Sequence, residues 1–447
     1  RIANLINEGD SPSNILAITF TNKAAKEMKD RVYGLIGSDA NYIQISTFHS
    51  LGLKILKENY DKLGYSKNFV IIDSDDVLTV IKKIMKDMNL ITQYYNAKNI
   101  RNKISSAKNE LMDINSFSKL EYDKNVVKVY EKYIEKLKIN NSVDFDDLLI
   151  LPIKLFRDYP SILDSYQERY KYILIDEYQD TNECQYVFSK ILSSKYRNLF
   201  VVGDNDQAIY AFRGANYKNI LNFEKDYPDT KTVLLEENYR STKNILNAAN
   251  SVIKNNKYRK DKNLWSNNNE GEKIKYVRVD NEKEEASYVA KEIKKLISEE
   301  DNPSEIAVLY RTNAQSRVME EECLKNNIPY KIIGSYYFYN RKEIKDLISY
   351  LRLINNPKDD VSLLRVINVP KRKIGEKTID NISNVANISG ISLYEAITSG
   401  KELLFKNLIE EITKEQESLS LTETVELVLN KSGLKDELVN EKTLEAE

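Results

Sequence analysis

Two carboxylates stand at the end of a short apolar run, where they could act on a bound nucleotide. Asp176 and Glu177 directly follow Ile173-Leu174-Ile175. An aspartate in this position can hold Mg²⁺, directly or through its water, and the next carboxylate can orient or polarise an attacking water. The same pair could instead cap the helix that follows, because acidic residues satisfy free N–H groups in a first turn. Taken alone, the two residues leave both interpretations open.

A second apolar run leads into a polar loop, and aromatic residues come next. Val201-Val202 is followed by Gly203 to Gln207, and the final glutamine of that loop could sense a γ-phosphate. Beyond it, Tyr210, Phe212 and Arg213 interleave rings with a cation. A nucleobase stacked on such a ring contributes about 1–3 kcal/mol. The segment is therefore a candidate platform for single-stranded nucleic acid, with ordinary packing of the rings as the alternative.

A third apolar run ends in a tyrosine and an arginine. Tyr239 and Arg240 lie a few residues after Leu234-Leu235. An arginine presented to a transferring phosphate stabilises the charge of the transition state. The alternative is a surface arginine that pairs with Glu236 or Glu237.

Size and composition limit the class of protein. The chain has 447 residues, with 41% hydrophobic and 30% charged residues, so we expect two to four domains and neither disorder nor a membrane protein. The net charge of −1 argues against binding nucleic acid by bulk charge, but it leaves room for a local basic groove. The N-terminus has neither an initiator methionine nor the apolar core of a signal peptide, which predicts a cytoplasmic location.

The sequence contains one histidine, His49, and two cysteines, Cys184 and Cys323. A zinc site built from these three would lack a fourth ligand and any short ligand spacing. Buried or bystander cysteines are therefore predicted, and a disulfide would be unusual in the cytosol.

The order of predicted elements indicates an α/β chain interrupted by helices. Residues 1–50 alternate strand, helix and strand, and helical periodicity dominates from about 53 to 167. Ligands of open parallel sheets lie at the carboxyl ends of strands. Beyond about 374 the chain becomes helical and charged. Further strands are predicted at 172–175, 198–202, 232–235, 275–279, 306–310 and 330–333.

These clusters together resemble a known family. The sequence is similar to the PcrA/UvrD/Rep group of superfamily 1 DNA helicases, and to its PcrA branch most of all. The similar segments occur in the same order as in that family. The similarity appears in the segments 18–25, 46–50, 175–181, 203–214, 237–241, 309–317 and 368–372.

The resemblance implies the fold class and the domains. It implies an α/β protein with two RecA-like parallel-sheet motor domains, each with a helical insertion, the second truncated. The first motor domain would span 1–52 and 168–237, with its insertion at 53–167. The second would span 238–373, and the start of its insertion 374–447.

The resemblance also assigns roles at an ATP site between the two motor domains. Asp176 would bind Mg²⁺, Glu177 would activate water, and Gln207 would contact the γ-phosphate. Arg240 would act as the arginine finger from the second domain, and Tyr239 would stack on adenine.

A DNA track is implied in the same way, for 3′–5′ movement on single-stranded DNA. His49 has an alternative as a satisfied histidine at a strand end. The implied partners are single-stranded DNA and single/double-strand junctions, with repair or replication proteins as possible loading partners. The matching positions are Phe20, Asn22, His49, Tyr210, Phe212, Arg213, Arg311 and Asn313.

The sequence departs from the family pattern in two respects. Phe212 stands where the family usually carries tryptophan, and no G-x-x-x-x-G-K-[ST] phosphate loop occurs in the 447 residues. In the family that loop precedes the Phe20 segment, and later motifs would follow Glu447. We therefore expect a fragment of an ATP-dependent helicase that hydrolyses little ATP on its own. A non-catalytic DNA- or partner-binding scaffold and a helicase-nuclease subunit are the alternatives.

Three further segments have more than one interpretation. The run Asp144-Phe145-Asp146-Asp147 could mimic a metal cluster, but it is more typical of a capped helix start. Tyr336 to Tyr339 could form a base platform or pack at a strand end. Lys371-Arg372-Lys373 could touch phosphate or form a solvated turn.

Overall fold

The computed structural model describes residues 1–90, 92–257, 259, 262–299, 302–333, 339 and 341–441. The chain divides into two compact units. The first contains Arg1–Leu234, Asn256–Lys262 and Leu347–Glu447, and the second contains Leu235–Asn255 and Asn263–Asp346.

The first unit begins with alternating helices and strands. Thr21 caps the second helix by accepting a hydrogen bond from Ala24 N, and Gly37 ends that helix with a positive φ. Every residue of the first strand is buried, as expected for a parallel strand covered on both faces. The elements are α1 (Ile2–Asn7), β1 (Ile15–Thr19), α2 (Asn22–Ile36), β2 (Gln44–Thr47) and α3 (Phe48–Glu58).

A largely helical insertion follows. Asp73 starts its first helix through reciprocal side-chain and backbone bonds with Asp76. The apolar faces of the helices enclose a core that includes Ile81, Ile104 and Tyr133. The elements are β3 (Val70–Ile71), α4 (Ser74–Asp87), α5 (Ala97–Asn109), α6 (Ile114–Leu120), α7 (Lys124–Ile139), β4 (Ser142–Val143), α8 (Asp147–Asp158) and α9 (Pro160–Arg169).

The chain then returns to the sheet. The next elements are β5 (Tyr172–Ile175), α10 (Glu183–Ser193), β6 (Leu199–Val201), α11 (Lys218–Leu221) and α12 (Phe223–Asp226). Four parallel strands pair in the order β2-β1-β5-β6, with Ile18 opposite Ile175 and Ile175 opposite Val201. The two faces of the sheet bury different sets of residues: Leu16, Ile18 and Ile175 pack with α3, α8 and α10, and Ile15, Ala17 and Leu174 pack with α1 and α2. The predicted α/β class with a parallel sheet is confirmed.

The second unit contains α13 (Lys243–Ile253), α14 (Glu282–Ser298) and α15 (Ser316–Lys325), and an isolated bridge pairs Glu237 with Trp265. A small cluster of buried side chains, Ala290, Ile293 and Ile328, lies in this unit, and Leu246 and Ala286 are buried as well.

Four strand predictions were wrong. In the described part of the chain, the segments 232–235, 275–279, 306–310 and 330–333 form no hydrogen-bonded ladder. Their apolar side chains are largely exposed, with Tyr276 at 89% and Leu309 at 93%. A parallel strand needs neighbours that supply hydrogen bonds and cover both faces. Apolar, β-branched composition alone therefore overestimated the strands here.

The remaining helices belong to the first unit, apart from the start of α16. Arg352 ties them to the insertion through bonds to Asp76 Oδ2 (2.8 Å) and to the Ile71 carbonyl (3.3 Å). They surround a third core that includes Tyr350, Leu363 and Phe405. The helices are α16 (Lys342–Asn355), α17 (Asp360–Val366), α18 (Glu376–Ser389), α19 (Leu393–Ala396), α20 (Gly400–Glu415), α21 (Leu421–Ser432) and α22 (Leu434–Glu441).

Candidate nucleotide and nucleic-acid site

The carboxyl ends of three parallel strands bring separate polar segments together. Asp176 N donates to Ile18 O at 2.9 Å, which aligns the end of β5 with the end of β1. Val202 N donates to Ile175 O at 2.8 Å, so the loop after β6 begins beside Asp176. The segment 203–207 therefore lies next to the two carboxylates that follow β5.

Asp176 and Glu177 do not cap the next helix. That helix, α10, is capped by Asn182 with Gln185 in a reciprocal capping box. Glu177 adopts a left-handed backbone, φ 53°, and its N–H bonds to Asp176 Oδ1 at 3.0 Å. Such a conformation is uncommon for a residue with a side chain. The helix-cap alternative is therefore wrong.

The two carboxylates lie in different surroundings. Glu177 is exposed, whereas Asp176 is half-buried. Burial raises the pKa of Asp176 above its usual value, and the neighbouring charge of Glu177 adds to the increase. An aspartate that is partly removed from water gains more than an exposed one when a cation binds beside it.

A buried glutamine joins the two loops. Gln179 Nε2 donates to Glu177 Oε2 at 2.8 Å, and Gln179 Oε1 accepts from Asp204 N at 2.9 Å. Gly203 allows this approach, since a Cβ on it would lie 2.5 Å from Gln179 Oε1. Gln207 Nε2 in turn donates to Asp204 Oδ2 at 2.9 Å.

Two basic residues that the sequence analysis did not single out contact the same loop. Lys262 Nζ pairs with Asp204 Oδ1, and the guanidinium of Arg259 forms two bonds to Asp206, at 3.2 and 2.9 Å. Burial would raise the pKa of Asp204, but hydrogen bonds from Lys262 and Gln207 outweigh it and hold the pKa below its usual value. No short-range sequence signal could have shown these pairs, because more than fifty positions separate their members.

Aromatic residues form a row directly after this loop. The Phe20 and Tyr210 rings lie 5.0 Å apart between centroids, and those of Tyr210 and Phe212 lie 6.1 Å apart. Phe212 is 72% exposed and Phe20 is 36% exposed. A ring that exposed does not serve core packing, so the packing alternative fails for Phe212. Arg213 closes the short 3₁₀ turn Ala211–Arg213 that carries Phe212.

A second aromatic contact joins His49, on α3, to Phe145. Asn22 starts α2 and accepts a bond from Ser50 Oγ at 3.3 Å. The ring of His49 lies 5.8 Å from that of Phe145, and burial lowers the pKa of His49. Phe145 is 56% exposed and was missed as a candidate; its signal was an aromatic residue among three aspartates.

The candidate residues of the second unit are at its surface. Arg240 is exposed, and its N–H bonds to Asn238 Oδ1 at 3.0 Å. Glu237 accepts from Tyr239 OH and Asn267 Nδ2, both at 2.8 Å. Glu236 Oε1 accepts from Asn263 N at 3.0 Å, and among the described residues no ion pair joins Arg240 to Glu236 or Glu237, so the surface-pair alternative fails there. Arg311 and Asn313 are exposed beside the 3₁₀ turn Asn313–Gln315.

Comparison with known proteins identifies the family. A family model for the UvrD/REP helicase N-terminal domain matches residues 1–228. The chain belongs to the UvrD/REP helicase family. A model for the UvrD-like helicase C-terminal domain matches residues 233–443. The two matches agree with the two RecA-like motor domains that the sequence predicts.

Individual relatives in the family are identical to this chain at about half of the aligned positions. It is 50% identical over 463 residues to the ATP-dependent DNA helicase PcrA of Bacillus subtilis. It is 48% identical over 461 residues to the proteins of the same name from Staphylococcus epidermidis and Staphylococcus aureus. Each alignment covers 100% of this chain and 63% of the relative.

The acidic run 144–147 of this UvrD/REP chain stabilises the fold. Asp144 Oδ1 accepts from Asp147 N at 2.9 Å at the start of α8, and both carboxylates pair with Lys108. Asp144 and Asp147 exchange hydrogen bonds at the start of α8, as a capping pair would, whereas Asp146, directly before the helix, forms no side-chain cap. Among the described residues no group of three or more His, Cys, Asp or Glu could hold a metal ion.

Arg372, the middle residue of the basic run 371–373, is also structural. Arg372 donates to the carbonyls of Val366, Pro370 and Ser432 at 3.2, 3.1 and 2.9 Å. Its guanidinium lies 5.2 Å from the centroid of the Phe405 ring. Arg372 therefore serves packing and carbonyl capping rather than either of its predicted alternatives, and Lys371 is exposed.

Three remaining predictions concern cysteines, membrane spans and the tyrosine run. Cys184 and Cys323 are both free, and Cys184 is buried. No helix in the described ranges is long and apolar enough to cross a membrane. Of the run from 336 to 339, residues 336–338 lie outside the described residues.

Proposed function

We propose that the protein to which these 447 residues belong couples ATP hydrolysis to 3′–5′ movement along single-stranded DNA and to the unwinding of duplexes. The observation that carries the proposal is the convergence at one sheet edge of Asp176, Glu177 and the loop that ends in Gln207. An aromatic row whose two outer rings, Phe20 and Phe212, are exposed adjoins that loop. A nucleotide-responsive loop thus runs directly into a surface suited to nucleobases.

At the nucleotide, each side chain has a distinct proposed role. Asp176 and the phosphates of ATP are the proposed ligands of Mg²⁺, an ion commonly bound by one or two carboxylates together with substrate phosphates. When bound, the ion would neutralise charge on the transferring phosphate. Glu177 would orient the attacking water and Gln207 would contact the γ-phosphate. Tyr239 would stack on adenine and Arg240 would stabilise the developing charge.

At the DNA, aromatic rings and polar side chains would make the contacts. Phe20, Tyr210 and Phe212 would stack on successive bases, since every base has a π-face. Asn22, His49, Arg213, Arg311 and Asn313 would contact bases or backbone, and Phe145 beside His49 extends this set. Single-stranded DNA and its junctions with duplex are the proposed partners.

The test is Glu177→Gln in the full-length protein. The substitution preserves size but removes the carboxylate that orients water, so we expect ATP turnover to fall by at least about a hundredfold, within the range for general-base loss. Affinity for a single-stranded oligonucleotide should stay within about twofold, because DNA contacts are separate. Steady-state hydrolysis and fluorescence anisotropy measure the two. Turnover that survives the substitution contradicts the site assignment.

A non-catalytic scaffold is the second candidate, because the 447 residues contain no G-x-x-x-x-G-K-[ST] loop. For the 447-residue polypeptide itself we expect weak, salt-sensitive DNA binding and negligible ATPase. A full-length protein that binds DNA but hydrolyses no ATP, with or without DNA, would favour the scaffold.

A further inference from the structure

A series of hydrogen bonds connects the side-chain carboxylate of Glu177 with the side-chain amide of Gln207. Its central member is Gln179, which is 1% exposed and uses both ends of its side-chain amide. The orientation of that amide follows from its partners. Nε2 faces the Glu177 carboxylate and Oε1 faces a backbone N–H, whereas the flipped amide would place oxygen against carboxylate and nitrogen against N–H.

The series continues through the carboxylate of Asp204, which is shared between two side chains. Gln207 Nε2 donates to Oδ2 at 2.9 Å, while Lys262 Nζ pairs with Oδ1. Lys262 Nζ also lies 3.6 Å from Asp206 Oδ2. The side chains of Lys262 and Asp206 are only 15% and 8% exposed, so solvent screens this pairing less than it screens a surface ion pair.

We propose that Gln179 and Lys262 are positioning residues that set the orientations of Glu177 and Gln207 relative to each other through Asp204. The inference rests on the proposed function, in which Glu177 orients water and Gln207 contacts the γ-phosphate. Because Gln179 holds Glu177 with one end and the Asp204 backbone with the other, a shift of the loop 203–207 is transmitted to Glu177. Lys262 holds Asp204, so that Gln207 has a fixed acceptor.

The test compares kcat and KM for ATP in the full-length protein at saturating single-stranded DNA. Gln179→Ala should lower kcat about 10- to 100-fold, the range for removing the hydrogen-bonding support of a functional group, with KM changed less than about threefold. The double variant Gln179→Ala/Gln207→Ala should lose about as much as the worse single variant, since residues that act as a unit are not additive. Lys262→Met should lower kcat, and Lys262→Arg should restore most of it.

Gln167→Ala is the matched control for the loss of a buried glutamine. Gln167 is 6% exposed and donates to Ile191 O and Ser194 Oγ at 2.8 and 2.9 Å, away from the loops of the site. Its kcat should match that of the wild type. A Gln179→Ala protein with kcat within twofold of wild type, or a double variant whose loss equals the product of the single losses, overturns the inference.

The inference and the proposed function fail in different ways. If the wild-type protein hydrolyses no ATP, or if Glu177→Gln leaves turnover intact, the proposed function fails and the inference fails with it. If the wild type is active, Glu177→Gln is inactive and Gln179→Ala behaves as wild type, only the positioning role is lost. Should Gln179→Ala fail to fold, the Lys262→Met and Lys262→Arg pair decides, because equal kcat in both would overturn the role of Lys262.

Discussion

Replacing Lys108 by methionine should loosen the helical insertion. Lys108 Nζ lies 2.7 Å from Asp144 Oδ2 and 2.8 Å from Asp147 Oδ1, and its side chain is 4% exposed. Tyr133 OH donates to Asp144 Oδ2 at 2.7 Å. Lys108→Met keeps much of the aliphatic volume but removes a cation that pairs with both carboxylates.

The size of the expected loss in stability follows from the burial of the Lys108 ion pairs. Removing one partner of a buried ion pair leaves an uncompensated buried charge and costs about 3–5 kcal/mol. Lys103 on the same helix is the matched control: it pairs with Glu121, but its side chain is 49% exposed. Lys103→Met should therefore cost no more than about 1 kcal/mol.

Native-state hydrogen exchange measures the effect locally, which suits a chain of two units better than a global unfolding midpoint. Amides of α5 and α8 should exchange about 10²- to 10⁴-fold faster in Lys108→Met, since each 1.4 kcal/mol corresponds to about tenfold. Equal exchange in the Lys108→Met and Lys103→Met proteins would refute the reasoning.

The pH dependence of the stability that Lys108→Met loses relative to the wild type, called the deficit below, provides a second check. In the wild type, burial and the charge of Asp144 raise the pKa of Asp147 to about 6. Burial also acts on Asp144, but the charge of Lys108 and its hydrogen bonds hold the pKa of Asp144 below its usual value. Without Lys108 the carboxylate pair should have a raised folded-state pKa and bind a proton more tightly when folded than unfolded. The deficit of Lys108→Met should therefore grow as pH rises from about 4 to 7 and shrink on acidification.

Two further predictions concern the aromatic row and the basic run. Phe212→Ala should weaken binding of a single-stranded oligonucleotide about 5- to 150-fold, the equivalent of about 1–3 kcal/mol of stacking. Tyr42, an aromatic residue that is 70% exposed and lies outside the aromatic row, is the control and should tolerate alanine without loss of affinity. Fluorescence anisotropy measures both, and affinity within twofold for Phe212→Ala would count against the base platform. Arg372→Ala should destabilise α16–α22 by about 2–3 kcal/mol through carbonyls that lose a charged donor. Hydrogen exchange of those helices, compared with Lys371→Ala, checks this; equal exchange would mean that the carbonyl bonds contribute little.

Local sequence patterns were sufficient where neighbours in the chain determine the structure. The apolar run before Asp176 forms β5, and the alternation of strand, helix and strand predicted for residues 1–50 is present as β1, α2 and β2. The aromatic spacing from Tyr210 to Phe212 placed two rings on one short turn. The same kind of pattern failed in the second unit, where Tyr276 and Leu309 have strand-like neighbours yet remain exposed. Strand propensity describes a half-buried surface, and burial is decided by contacts distant in sequence.

The sequence by itself determined the family, the parallel α/β class and the strand-end positions of Asp176 and Glu177. Only the tertiary structure decided which polar groups meet. Lys262 pairs with Asp204, 58 positions away, and Lys108 pairs with Asp147, 39 positions away. The physical reason is that a charge loses its hydration when buried and needs a partner in space, wherever that partner lies along the chain.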